Sequence, residues 1–546
     1  MLKKFIQSRW FYISLLVILT IPLGLFFFGA RLIDGHDATA GLIRAISMDR
    51  YMGHGQFLVR WSPEINMGYG YPMFNFYPPF FSFVAVLFFQ FTQNMILAIN
   101  LACLMFWILS GIGMFLLARE FWGDEGGMLS ALLYVYAPYH IIDLYVRGAF
   151  AEFSSFAFFP FLLFSILKIS RKAGFGYYLL GIVSVFGLSL AHNIMSMLFF
   201  PVAFLFTLYL YFTGNKSKWI ITGVSVFVIG LMMSSFFWLP ALLEKEFLNL
   251  HFLIGKHYDF HENFISLRKL FWPLKVWTMD HISFQVGIIH TIFCLGTLIG
   301  LSRIIQIDKK AGRWYLFFLF ISLASILFTL PCSHLFWEHI SLLDYVQFPW
   351  RFLTIIVFAM SVLAGSIMVL IKNPIARKIS LIIIGLVSII FYLGSVPKPR
   401  FLNQEQSIES FIALGDGEYT PKWVTIPPDK PPLRKFEIIK GTAHLGQEKS
   451  LNPVHYETRL QSIDASLVCF HTFYFPGWKV YIDGQATQPF LNNPFGLIIF
   501  YVPPGDHDIQ VSFGPTFVRL MSVIMSWFGV FLLLWVGTLK ARFTVK

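Results

Sequence analysis

Charge is scarce in this chain. Only 13% of its 546 residues are Asp, Glu, Lys or Arg, while 57% are hydrophobic. That is about half the charged fraction of a soluble protein, so a water-soluble globule is excluded. Cysteine is scarce as well, and four residues make no disulfide framework. Cys103 and Cys294 fall in apolar runs, whereas Cys332 and Cys469 lie on the outer side, where they could pair although the sequence gives no geometry for a bond. No GxxxxGK[ST] loop is present to cradle a nucleotide, so nothing points to ATP-driven pumping. His36, His54, His251, His257 and His261 lack the spacing of a metal centre. Solenoid repeats and low-complexity tracts are absent too.

What the chain has is apolar length. A membrane helix needs roughly 17–25 apolar residues, and about twelve such segments can be read. They are 10–30, 97–118, 127–140, 154–170, 176–191, 194–213, 219–238, 283–302, 314–331, 352–371, 379–395 and 516–539. The first follows MLKKFIQSR without a small-residue cleavage site and reads as a retained anchor. The net charge of +12 is spread over interhelical loops, which is a topology signal rather than a nucleic-acid footprint. Clusters such as Arg171–Lys172, Lys309–Lys310 and Arg377–Lys378 fall on alternate loops and put both termini in the cytoplasm. The outer face then holds 31–96, 141–153, 239–282 and 396–515. Residues 78–92 are apolar but short, and read as a helix lying in the outer leaflet.

The expected fold is therefore a polytopic α-helical membrane protein with a small extracytoplasmic β-rich domain. The first unit is 1–395, with a large first outer loop at 31–96. Residues 396–515 are polar and Pro-rich, and from 454 they alternate in short β-like runs split by PGW, DGQ and PPGDH turns. Residues 516–546 supply a last span and a cytoplasmic tail.

Candidate chemistry gathers at one face. Asp34 and Asp37 lie just beyond the first span, where carboxylates beside a bilayer are costly without a task. Asp37 opens the stretch ATAGLIRAISMDRYM, and reads either as a general base or as a helix N-cap. Asp34 is the alternative catalyst or a second polar ligand. In DLYVRGAFAE, Arg147 suits a phosphate leaving group, and Glu152 either positions a hydroxyl or pairs with Arg147. His192 and Asn193 end the fifth span, as pocket lining or as a helix break. Arg351 in QFPWRF is either an interfacial anchor or a cradle for a lipid phosphate. WLPALLE offers Glu244 as a further carboxylate.

The run HD…RWSPEINMGYGYPMFNFYPPF, followed by APYHIIDLYVRGAFAE, LAHN, WLPALLE and QFPWRF, resembles bacterial membrane proteins called 6-pyruvoyl-tetrahydropterin synthase-related. The tail FYFPGWKVYIDGQ…GLIIFYVPPGDHDIQVSF resembles the end of YfhO-type membrane proteins. Both look like branches of the GT-C glycosyltransferase superfamily. The tetrahydropterin label has no counterpart here, since no zinc-binding His cluster is seen. The GT-C resemblance implies a catalytic carboxylate near the start of the first outer loop, where Asp37 stands, with Asp34 as a second acid. It also leads one to expect His four residues after Asp37, and the chain has Gly41 there.

The function so implied is transfer of a sugar from a polyprenyl-phosphate donor to an extracytoplasmic glycan, lipid or polymer. Asp37 would take the acceptor proton and the anomeric centre would invert. The expected location is the bacterial inner membrane, with the site on the outer face. Expected partners are membrane lipid, the lipid-linked sugar and the acceptor, with no nucleic acid. No cofactor beyond the donor substrate is assigned, and metal dependence is open. The alternative is a non-catalytic transport or polymer-binding protein of the envelope. Transporters of that kind usually carry paired half-repeats with interrupted helices, and none is read here.

Overall fold

A computed structural model describes residues 9–171, 174–214, 219–249, 259–271, 284–395, 401 and 417–544. His251 and His257 lie outside the described residues, as does much of the 239–282 loop. Eight helical runs among the described residues are long and apolar enough to cross a membrane, or up to ten if each bent pair is one span. Each of the twelve expected segments coincides with a helix, though two are broken and one is short. The run Met95–Tyr145 holds the expected segments 97–118 and 127–140 as a hairpin. Gly123 takes a positive φ of 76°, and beyond it the chain folds back, so that Trp107 Nε1 donates to Val135 O at 2.9 Å. The segments 219–238 and 283–302 are broken, by 71° after Met233 and by 61° after Ile299. Phe175–Ala191 is apolar but short.

Phe80–Thr92 is a 13-residue helix, too short to span. It packs against the hairpin, with Phe81 6.1 Å from Phe106, and against the next helix, with Phe81 stacked on Phe150 at 5.1 Å.

The C-terminal part holds nine strands: β1 (Phe436–Lys440), β2 (Ala443–Leu445), β3 (Lys449–Asn452), β4 (His455–Ser462), β5 (Ser466–Phe473), β6 (Trp478–Ile482), β7 (Gln485–Thr487), β8 (Leu497–Val502) and β9 (Gly505–Phe513). They form two antiparallel sheets, β1-β5-β8 and β2-β4-β9-β6-β7, with β3 beside β4. The alternating runs noted in the sequence coincide with β4, β5, β6, β8 and β9. The four strands outside that pattern, β1, β2, β3 and β7, are only three to five residues long, which is why they left little periodicity.

One apolar cluster fills the helical part, and a second joins the strands to the first loop. Trp61 of RWSPE meets Trp478 edge-on at 5.5 Å, and Tyr69 stacks on Phe473 at 5.6 Å. Lys435 Nζ donates to Gly68 O at 2.6 Å. The aromatic loop is thus a platform on which the β-domain sits. Cys332 is exposed and Cys469 buried, and both thiols are free.

Candidate active site

The helix Ala38–Gly53 begins immediately after Asp37. Asp37 occupies the N-cap position, yet its side chain makes no capping bond. The capping alternative therefore fails for the carboxylate, which is exposed and has no hydrogen-bond or ion-pair partner among the described residues. Its backbone is held instead. His36 N donates to Val146 O at 3.2 Å and Asp37 N to Arg147 O at 2.7 Å. Two glycines permit this approach: a Cβ on Gly35 would lie 2.7 Å from Gly148 N, and one on Gly148 would lie 2.8 Å from Ala38 Cβ. The loop carrying Asp37 and the loop carrying Arg147 are one clasp.

Arg147 is engaged through its Nη1. It is paired with the buried carboxylates of Asp143 and of Glu152, the latter at 2.8 Å. Tyr139 OH donates to Glu152 Oε1 at 2.6 Å. The Arg147 guanidinium lies 4.8 Å from the Trp350 ring centroid. The structural ion pair considered for Arg147 and Glu152 thus exists, with Asp143 as a third member. Two buried carboxyl groups thus converge on one guanidinium, so Arg147 is already paired within the protein.

Arg351 is differently placed. It is buried, and it donates to Val346 O at 3.0 Å and Gln347 Oε1 at 2.7 Å. Both acceptors are neutral. No carboxylate pairs with it among the described residues, and its Nε is buried without a partner. A buried cation of this kind is costly, and an anion entering beside it would relieve that cost.

These groups share a cavity of about 490 Å³. Asp37, Arg147, Glu152, His192, Asn193 and Arg351 line it, and Met197, Phe200, Leu231 and Trp238 form an apolar wall. His192 caps the next helix through Nδ1, which accepts from Met195 N at 3.3 Å, and Asn193 Nδ2 donates to Phe76 O at 3.1 Å. These two contacts realise the helix-break reading, while both residues also line the cavity.

Two expected residues stand elsewhere. Asp34 is not among the cavity-lining residues. The reason is geometric: the clasp turns the chain between them, and only Asp37 opens the helix that borders the cavity. Glu244 is also withdrawn. It accepts from Arg519 Nε at 3.0 Å, Asn75 Nδ2 at 2.8 Å and Thr516 Oγ1 at 2.5 Å. It therefore serves a buried junction between the first loop and the last helix.

The sequence reading missed Arg44, Lys245, Gln347 and Glu418, all of which line the cavity. Arg44 had a signal, being two helical turns after Asp37 and so on the same face. Its guanidinium lies 3.6 Å from the Tyr77 ring centroid. Gly41, found where His was expected, lies between them. A Cβ there would come within 2.5 Å of the Phe150 ring, so packing excludes a larger residue. Among the described residues no group of His, Cys, Asp and Glu is arranged to hold a metal ion.

A family model described as "6-pyruvoyl-tetrahydropterin synthase related domain; membrane protein" matches residues 74–402, more than half of the chain. No curated protein matches by sequence. Several solved structures resemble the fold loosely. ArnT from Cupriavidus metallidurans, bound to undecaprenyl phosphate, aligns with a TM-score of 0.40 and 13% identity over 69% of this chain and 63% of that one. The oligosaccharyltransferase of Archaeoglobus fulgidus, tethered to an acceptor peptide, gives 0.42 and 12% over 78% and 60%. Arabinofuranosyltransferase AftD from Mycobacteria gives 0.43 and 14% over 71% and 26%. The chain thus spans less than two thirds of each of these proteins. A likeness this loose carries no argument about activity.

Proposed function

This chain belongs to the 6-pyruvoyl-tetrahydropterin synthase related family of membrane proteins, and from that premise we propose that it is a GT-C-type glycosyltransferase using a lipid-phosphate-linked sugar. The observation that carries this reading is the pairing of two unspent charges on one cavity. Asp37 offers an exposed carboxylate without a side-chain partner, and Arg351 a buried guanidinium whose two hydrogen-bond acceptors are neutral.

In the proposed reaction the acceptor hydroxyl gives its proton to Asp37 as its oxygen bonds to the anomeric carbon. The bond from that carbon to the phosphate oxygen breaks, and its electron pair leaves with the lipid phosphate. Arg351 meets the charge that develops there. A single displacement inverts the anomeric centre and needs no covalent enzyme intermediate. Arg147 acts indirectly, by holding Glu152 and by fixing Asp37 through its own carbonyl. The donor's lipid would approach along the apolar wall of Met197, Phe200, Leu231 and Trp238. Glu418 and Tyr419, which precede the strands, border the same cavity, so we assign acceptor binding to the β-domain side. The polyprenyl donor, the envelope acceptor, the inner-membrane location and the outward-facing cavity belong to this proposal.

The test uses purified protein, a panel of short-chain polyprenyl-phosphate hexoses and a hydroxyl acceptor, and follows release of polyprenyl phosphate. Release is expected from the wild type. It should fall about a hundredfold or more in Asp37→Asn, with folding retained. Wild-type turnover in Asp37→Asn would remove Asp37 as the base. Absence of release with every donor would overturn the reaction class.

A further inference from the structure

One helix that borders the first cavity reaches a second cavity at its far end. Asn193 begins the helix Asn193–Thr213, whose 21 residues extend roughly 31 Å. Near Thr213, and near Arg171 at the end of Phe158–Arg171, lies a cavity of about 410 Å³. Three cations reach it, Arg171, Lys310 and Arg313, with Tyr209, Trp219 and Trp314 between them.

The local charge is unbalanced. Glu120 is shared by Lys168 at 2.6 Å and Arg171 at 2.5 Å. Asp308 caps its helix by accepting from Lys310 N at 2.7 Å. Lys310 and Arg313 have no side-chain carboxylate partner among the described residues. Lys309 and Lys310 also occupy the first turn of the helix Lys309–Thr329, which has no acidic residue in that turn. A helix N-terminus carries partial positive charge and favours anions, so cations placed there work against folding. A separate observation points the same way. Trp314 is 5% exposed and lines the cavity, and its Nε1–H is buried without a partner. A buried donor left unmade is costly, and a phosphate or ester oxygen would satisfy it.

We propose that this second cavity binds a phosphate group, and that the phosphate is the headgroup of an anionic phospholipid in the leaflet opposite the first cavity. Basic pockets at the ends of membrane helices suit such headgroups, and flanking aromatics suit the interface. The even spread of Lys and Arg on this face explains orientation but not the convergence of three cations and an unpaired indole on one cavity.

The experiment is native mass spectrometry of the full chain, titrated with phosphatidylglycerol and, separately, with phosphatidylcholine. Wild type is expected to hold phosphatidylglycerol preferentially. The double variant K310Q/R313Q should bind it about tenfold or more weakly. The control R303Q/K309Q removes the same charge from the same face, outside the cavity, and should bind like wild type. Trp314→Phe keeps the ring packing, loses only the indole donor, and should weaken binding severalfold. Equal losses in the two double variants would overturn the site in favour of diffuse surface attraction, and unchanged binding in K310Q/R313Q would overturn it outright. Inorganic phosphate forms the second arm. Failure to displace the lipid is expected, and displacement would overturn the lipid as the source.

Discussion

The backbone N–H of Asp37 donates to the carbonyl oxygen of Arg147 at 2.7 Å. This single bond joins the residue with the free carboxylate to the residue that holds the buried acids. Asp37, the proposed base, is thereby positioned by backbone rather than by its own side chain. Gly35 and Gly148 make the approach possible.

Gly35→Ala should loosen this clasp. The new Cβ would meet backbone atoms of residues 147 and 148 at 2.7–2.9 Å, which no rotamer change can relieve. A loss of about 1–3 kcal/mol in stability is expected. Turnover should fall further than that of a variant destabilised equally at a remote site. Thermal midpoints and kcat measured together check this, and equal losses would mean the clasp is only structural.

The two arginines should separate by readout. Arg147→Gln leaves Asp143 and Glu152 buried without a counter-charge, and should cost about 3–5 kcal/mol, seen as a lost folded fraction on size exclusion. Arg351→Gln removes a cation whose protein partners are neutral, and should fold while losing turnover. A charge swap between Arg147 and Glu152 should not restore the fold, because Asp143 would then face a new carboxylate beside it. Folding of Arg147→Gln together with collapse of Arg351→Gln would reverse the assignment.

Glu244 and Arg519 are each 2% exposed and bonded to one another. Glu244→Gln should destabilise by about 3–5 kcal/mol, since it strands a buried guanidinium, whereas Glu244→Leu with Arg519→Leu should lose less than the two single changes summed. A double-mutant cycle by thermal unfolding measures the difference, and simple additivity would show that the pair is not coupled.

Lys435 gives the pH dependence. Burial pulls its ammonium down to about 8, partly offset by Glu64 and Glu448. The folded protein therefore holds this proton less tightly than the unfolded chain, whose Lys titrates near 10.5. Between these values the unfolded state binds more protons, so stability rises with pH, and the full cost of the buried charge is present below about 8. Unfolding midpoints of wild type minus those of Lys435→Met should rise from pH 8 to pH 10. A flat difference would mean the ammonium is not desolvated.

The sequence by itself determined the solvent of each segment. Apolar length marked the membrane helices, and period-two alternation marked β4, β5, β6, β8 and β9, because burial of a face leaves a local repeat. It also marked the residues whose charge was out of place, including Asp37, Arg147 and Arg351. Only the tertiary structure decided which of these charges are spent. Arg147 met two acids rather than one, and Glu244 met Arg519, 275 residues away. Asp34 fell outside the cavity and Glu418 came into it. Such pairings leave no periodicity, because they depend on where distant helix ends and loops converge. The physical reason is that a face is repeated along the chain, whereas a partner is met only once.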